Sequence, residues 1–221
     1  LDSMAKMINE YTKIIYLANP DNPTGTYFTK NEFDNFMNFV SKKTLVILDE
    51  AYFEYANNNI DFPDSMIYRY DNIITLRTFS KIYGLAGLRI GYGFAHSDLI
   101  GNLMKVKLPF EPSFLGQIAA IEALNDKEFF NRSIETNNRN KKIIEVNLKI
   151  HGYNYIKSVT NFITIVFTST DESLHFCEYM LNNGIILRNL KGFGLSECVR
   201  VTIGSDEETE IFLRILNTYS Q

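Results

Sequence analysis

"TLVILDEAY", residues 44–52, decides how this chain is read. The run Leu45 to Leu48 is solidly apolar and then stops in two acids. A run of that kind suits a parallel β-strand covered on both faces. Working outward, "KIIYLA" (13–18) and "NIITLRTF" (72–79) repeat the pattern, and "LRIGYGFA" (88–95) makes a fourth strand. Between the first two, "KNEFDNFMNFVSKK" (30–43) sets Phe33, Phe36, Met37 and Val40 on one face of a predicted helix. Thr29 and Glu32 form a capping box in front of it. The opening "LDSMAKMINEYTK" (1–13) also reads as helical, and residues 113–149 are mostly helical. Short apolar strands alternating with amphipathic helices predict an α/β fold with a mostly parallel sheet.

The texture changes near residue 153. "NFITIVF" (161–167), "GIILRNL" (184–190) and "CVRVTIG" (198–204) read as strands. Ser169 with Glu172, and Ser205 with Glu208, mark the starts of two helices. The expectation is a large α/β domain over 1–152 and a small α+β domain over 153–221.

Composition excludes several classes of function. The chain has 221 residues, a net charge of −4 and an isoelectric point near 5.5, so it lacks the basic footprint of a nucleic-acid binder. No apolar run approaches a membrane span. Cys177 and Cys198 have neither metal-type nor redox-type spacing, and His96, His151 and His175 are scattered. No metal site is expected, and a reducing cytoplasm is the default setting.

In open α/β sheets ligands sit beyond the carboxyl ends of the strands. The residues there are Asn22 in "NPDNPTG", Asp49 and Tyr52, then Thr78, Ser80 and Lys81, with Arg89 eight residues after the lysine. Each has a plain alternative. "LVILDE" resembles a magnesium-binding strand of nucleoside triphosphatases, but residues 1–48 hold no G-x-x-x-x-G-K-[ST]. "NPDNPTG" could be an ordinary turn and Lys81 a solvated cation. The glycines at 84, 87, 91 and 93 do not spell a dinucleotide loop. Together, however, a lysine, an aspartate and a hydroxyl–arginine group match the aldehyde, ring nitrogen and phosphate of pyridoxal 5′-phosphate.

The motifs "ANPDNPTG", "DEAYFEY" and "RTFSKIYGLAGLRIGYG", in this order, resemble the fold-type I pyridoxal-phosphate aminotransferases, in particular the histidinol-phosphate aminotransferase branch. "VKLPFEPSFLGQIAAIEAL", "GIILRNL" and "CVRVTIGSDEETEIFL" extend the likeness nearly from end to end. The resemblance implies a fold-type I transferase: part of the large domain's sheet, followed by the smaller C-terminal domain. It implies Lys81 as the Schiff-base lysine and proton carrier, and Asp49 as partner of the ring nitrogen. Tyr52 and Asn22 would bond the ring's 3′ oxygen, while Thr78, Ser80 and Arg89 would hold the phosphate. Arg188 and Arg200 would take the anionic end of the substrate.

The implied reaction is amino transfer between L-histidinol phosphate and 2-oxoglutarate, yielding glutamate, in histidine biosynthesis, by a cytoplasmic homodimer. Arginines at those two positions suit a carboxylate as well as a phosphate. Transamination of aromatic amino acids therefore stays open, as does a threonine-phosphate decarboxylase. An aminotransferase-like regulator domain is a further alternative. Chains of the family run longer at the N-terminus, so a partial polypeptide with an incomplete sheet is expected.

Overall fold

The apolar runs of the first half do assemble into one sheet. A computed structural model describes residues 1–219. The described residues divide into two compact units, one of residues 1–21 and 27–130, the other of 22–26 and 131–219.

In the first unit, β1 (Ile14–Ala18), β2 (Leu45–Asp49), β3 (Ile73–Thr78) and β4 (Gly91–Ala95) lie side by side in that order. The first three are parallel, with Ala18 opposite Asp49 and Asp49 opposite Leu76. The fourth is antiparallel, with Thr78 opposite Gly91. The connection over residues 79–90 contains only a 3₁₀ turn, Ala86–Leu88, and no crossover helix, so the chain returns in the opposite sense. Gly91 has to be glycine, because a Cβ there would stand 2.7 Å from the Arg77 carbonyl oxygen.

One face of this sheet is closed by α2 (Lys30–Met37). Ile15, Leu17, Val46, Leu48 and Ile73 pack there against Phe33, Phe36 and Met37. The other face carries Ile14 and Tyr16, 60% and 53% exposed, with Leu45 and Ile47 only half-buried. The expectation that β2 is covered on both faces is thus corrected: among the described residues one face is closed and the other partly open.

Helix α2 begins where expected. Thr29 Oγ1 accepts from the Glu32 amide and Glu32 returns a bond to the Thr29 amide at 2.7 Å, a cap of about 1 kcal/mol. It stops sooner than the apolar pattern suggested. The amides of Asn38, Phe39 and Val40 bond three residues back, tightening the last turn. The opening helix is shorter still, α1 covering only Asp2–Ala5. Asn9 Oδ1 accepts from the Tyr11 amide at 2.9 Å, a local bond that competes with helix continuation. Beyond β2 comes the short α3 (Phe53–Ala56); after β4 come α4 (Ser97–Val106), α5 (Phe114–Asn125) and α6 (Lys127–Ile150).

The second unit is an antiparallel sheet in the order β5 (Asn154–Ile156), β6 (Phe162–Val166), β8 (Leu195–Thr202), β7 (Arg188–Leu190). Helices α7 (Thr170–Asn182) and α8 (Asp206–Tyr219) and the later turns of α6 supply its core. There Ile144, Leu148, Phe176, Met180 and Leu216 surround Ile163, Ile165 and Val199. The Ser205–Glu208 box is complete. At α7 the Ser169 hydroxyl caps the Glu172 amide, but the glutamate turns back to Thr168. Among the described residues no helix is long and apolar enough to cross a membrane.

Candidate active site

The tips of β2 and β3 and the start of β4 lie at one end of the first sheet, as the parallel and antiparallel registers require. Six of the nine residues singled out by sequence stand there: Asp49, Tyr52, Thr78, Ser80, Lys81 and Arg89. Asp49 closes β2, and side-chain alternation in the register puts it on the partly open face together with Thr78. Its Oδ1 accepts from the Ala51 amide at 3.0 Å, and its Oδ2 accepts from the Tyr16 hydroxyl. The Asn19 amide donates to its main-chain oxygen at 2.9 Å, tying the ends of β1 and β2 together.

After β3, Thr78 Oγ1 accepts from the Ser80 amide at 3.0 Å, which folds the chain into a tight turn. The Phe79 amide donates to Ile90 at 3.2 Å and the Leu85 amide to Phe79 at 3.0 Å, so the loop 79–90 closes on itself. Lys81 is half-buried on this loop, its Nζ 5.0 Å from the centre of the Tyr52 ring. Among the described residues the amine has no carboxylate partner. Arg89 is exposed and left-handed, with φ at 53°, a conformation costing a non-glycine residue roughly 1–2 kcal/mol. Strain of that size persists where surrounding structure or function demands it. One of its guanidinium nitrogens donates to Ala86 at 2.8 Å, which leaves donors to spare.

The other three residues belong to the second unit. Asn22 lies in the segment 22–26, which docks through main-chain bonds: Val159 donates to Gly25 at 2.9 Å, and Thr164 Oγ1 to Pro23 at 2.5 Å. Gly25 has φ at 75°, and a Cβ there would collide with Ser158. "NPDNPTG" is therefore more than a plain turn. Arg200, in β8, donates to Asn22 Oδ1 and lies 5.0 Å from the Phe162 ring. Its Nε is buried without a hydrogen-bond partner among the described residues. Arg188 is exposed in β7 and directly opposite Arg200.

Sequence reading missed three residues around these groups. Asn19 spans the mouth of the loop, accepting from the Phe28 amide at 3.0 Å and donating to its carbonyl at 3.3 Å. Tyr16 bonds Asp49. Arg77, one residue before Thr78, reaches Glu50, one residue after Asp49, at 2.8 Å. The available signal was alternation along neighbouring parallel strands, which sets residues two apart on one face.

A family model described as aminotransferase class I and II matches residues 1–216. Histidinol-phosphate aminotransferase 1 of Nitrosococcus oceani is 40% identical over 220 residues, 99% of this chain and 59% of that protein. The Bacillus subtilis histidinol-phosphate aminotransferase is 40% identical over 218 residues, 98% of this chain and 60% of its own length. Among solved structures, histidinol-phosphate aminotransferase from Sinorhizobium meliloti, in complex with pyridoxal-5′-phosphate, is similar with a TM-score of 0.87 and 28% identity. That likeness covers 99% of this chain and 60% of the other. The chain thus spans about 60% of the length of the curated relatives it matches.

Proposed function

The chain belongs to the class I and II aminotransferases, and from that premise we propose a site for pyridoxal 5′-phosphate that transfers the amino group of L-histidinol phosphate to 2-oxoglutarate. The donor set fits this cofactor. Asp49 offers a carboxylate with lone pairs left over, Lys81 an amine without an ion-pair partner among the described residues, and Thr78, Ser80 and Arg89 hydroxyls and a guanidinium for a phosphate. When bound, the cofactor supplies an electron sink for the negative charge left at the substrate Cα.

The chain's own groups do the remainder. Lys81 would hold the aldehyde, and its free amine would move the proton at the substrate Cα, a general-base role. Asp49 would face the ring nitrogen and favour its protonated form. Tyr52 and the amide of Asn22 are assigned to the ring oxygen. Arg188 and Arg200 are assigned to the anionic end of the substrate. Two like charges directly opposite on paired strands repel, and an anion shared by both relieves that. The buried Nε of Arg200 is a donor still to be satisfied. A cytoplasmic homodimer goes with this reading, the family being its support.

The observation that carries the proposal is the Lys81 amine facing Tyr52, on the same strand tips as Asp49 and Thr78. The test is borohydride reduction of the full-length protein with bound pyridoxal phosphate, followed by peptide mapping. The label is expected on Lys81, and Lys81→Ala should lose both the near-visible absorbance and turnover. A label on another lysine overturns the assignment. Turnover of histidinol phosphate should exceed that of phenylalanine and of threonine phosphate by at least about tenfold (1.4 kcal/mol); the reverse order displaces the substrate proposed.

A further inference from the structure

Tyr16 differs from its apolar neighbours in β1 by one group, its hydroxyl. Among the described residues it sits 53% exposed beside Ile14, itself 60% exposed, on the partly open face of the first sheet. Its hydroxyl has a clear address. The β1–β2 register sets Ala18 opposite Asp49, so Tyr16, two residues earlier, points from the same face. Its Oη donates to Asp49 Oδ2, while Oδ1 accepts from Ala51 at 3.0 Å. Both carboxylate oxygens are then held by donors from different parts of the chain, and each keeps a lone pair for a further donor.

We infer that Tyr16 is a positioning residue for Asp49: its hydroxyl fixes the rotamer in which the carboxylate serves the cofactor's ring nitrogen. This rests on the role given to Asp49 above. A carboxylate held on both oxygens by donors of the surrounding chain loses rotamer freedom, which is how a supporting residue keeps a functional group aimed. The partner also has to remain a donor. Burial first, and then the bond to Asp49, push the Tyr16 hydroxyl up to about 12, so it keeps its proton throughout the neutral range. A phenylalanine would fill the same space, so the difference between the two side chains isolates the hydroxyl.

The experiment compares full-length wild type, Tyr16→Phe, Asp49→Asn and the double variant. Each is read by the dissociation constant of pyridoxal phosphate, by the pH titration of the bound cofactor's absorbance, and by kcat and KM. Tyr16→Phe should weaken cofactor binding about fivefold to tenfold and lower kcat by a similar factor. KM should stay within about twofold, and the absorbance titration should move by about half a pH unit. In the Asp49→Asn background the same substitution should change the dissociation constant by less than about twofold, because the group it acts through is gone.

If Tyr16→Phe is silent while Asp49→Asn is crippling, the inference fails and the reading of Asp49 stands. An effect of Tyr16→Phe that persists undiminished beside Asp49→Asn also refutes it, since the tyrosine would then act elsewhere. If Asp49→Asn itself binds cofactor and turns over like wild type, the reading of Asp49 falls and the inference falls with it.

Discussion

On the closed face of the first sheet, at the tips of β2 and β3, Arg77 reaches Glu50 at 2.8 Å and Asp64 at 2.9 Å. On the partly open face, one residue away along the same strands, Asp49 and Thr78 meet no cation among the described residues. The closed pair is almost fully sequestered, with side chains 6% and 2% exposed. The guanidinium also stacks 3.4 Å from the Phe53 ring centre. Burial pushes the Glu50 carboxyl up, and Arg77 and Ser65 pull against that rise. For Arg77 burial works against the charge, and Glu50 and Asp64 outweigh it. Charges on that side satisfy one another and hold the strand tips. Those on the other side are oriented but left with bonding capacity, which is what a ligand needs.

The comparison breaks most sharply at Asp49. Asp49→Ala in the full-length protein should cut transamination about a thousandfold, roughly 4 kcal/mol of barrier. Its urea midpoint should move little, since the groups it releases lie on the open face. Steady-state turnover beside urea melts checks both halves. A variant that unfolds while its residual turnover stays near wild type would reverse the contrast.

Arg77→Ala should do the opposite. Removing one partner of a buried pair strands the other charge, and about 3–4 kcal/mol of stability should go. Cofactor affinity per folded molecule should fall far less than in Asp49→Ala. If Arg77→Ala melts like wild type, the pair holds nothing.

How far the sequence disclosed this depends on the range of the signal. The end of β2 and the Thr29–Glu32 box are encoded within a few residues of themselves, and each is legible in the sequence. Helix 1–13 was misread because Asn9 bonds locally, an outcome that apolar spacing does not register. Tyr16 and Asp49 stand 33 residues apart and Arg77 and Glu50 27 apart, so their meeting waits on strand register. Asn22 and Arg200 are 178 residues apart. Their bond, and the docking of 22–26 in the second unit, follow from tertiary packing that no local pattern carries. Residue types suited to the chemistry were visible in sequence, whereas the donors that orient them were not.

The subtlest test concerns a third acid near the closed pair. Glu54, in α3, is 9% exposed and forms no ion pair among the described residues, because Arg77 is already shared between Glu50 and Asp64. Burial raises its carboxyl to about 7; a backbone bond and Arg77 oppose the rise and Glu50 adds to it. Tyr55, Tyr83 and Tyr92 also feel its charge. A carboxyl raised on folding binds more protons in the native than in the unfolded state. Its stabilising contribution is therefore complete below about pH 4.5 and is lost as pH rises through about 7. The caps Glu32 and Glu172 are lowered instead, so their contributions are lost only as pH falls below the ordinary carboxylate range. Between pH 5 and 8 wild type should thus lose on the order of 2 kcal/mol through Glu54. Glu54→Gln should match wild type at pH 5 and exceed it at pH 8 by about that amount. Urea melts at the two pH values read the difference directly. Parallel pH profiles for the two proteins would mean that Glu54 finds compensation on the closed side after all, and the contrast between the faces would have to be drawn without it.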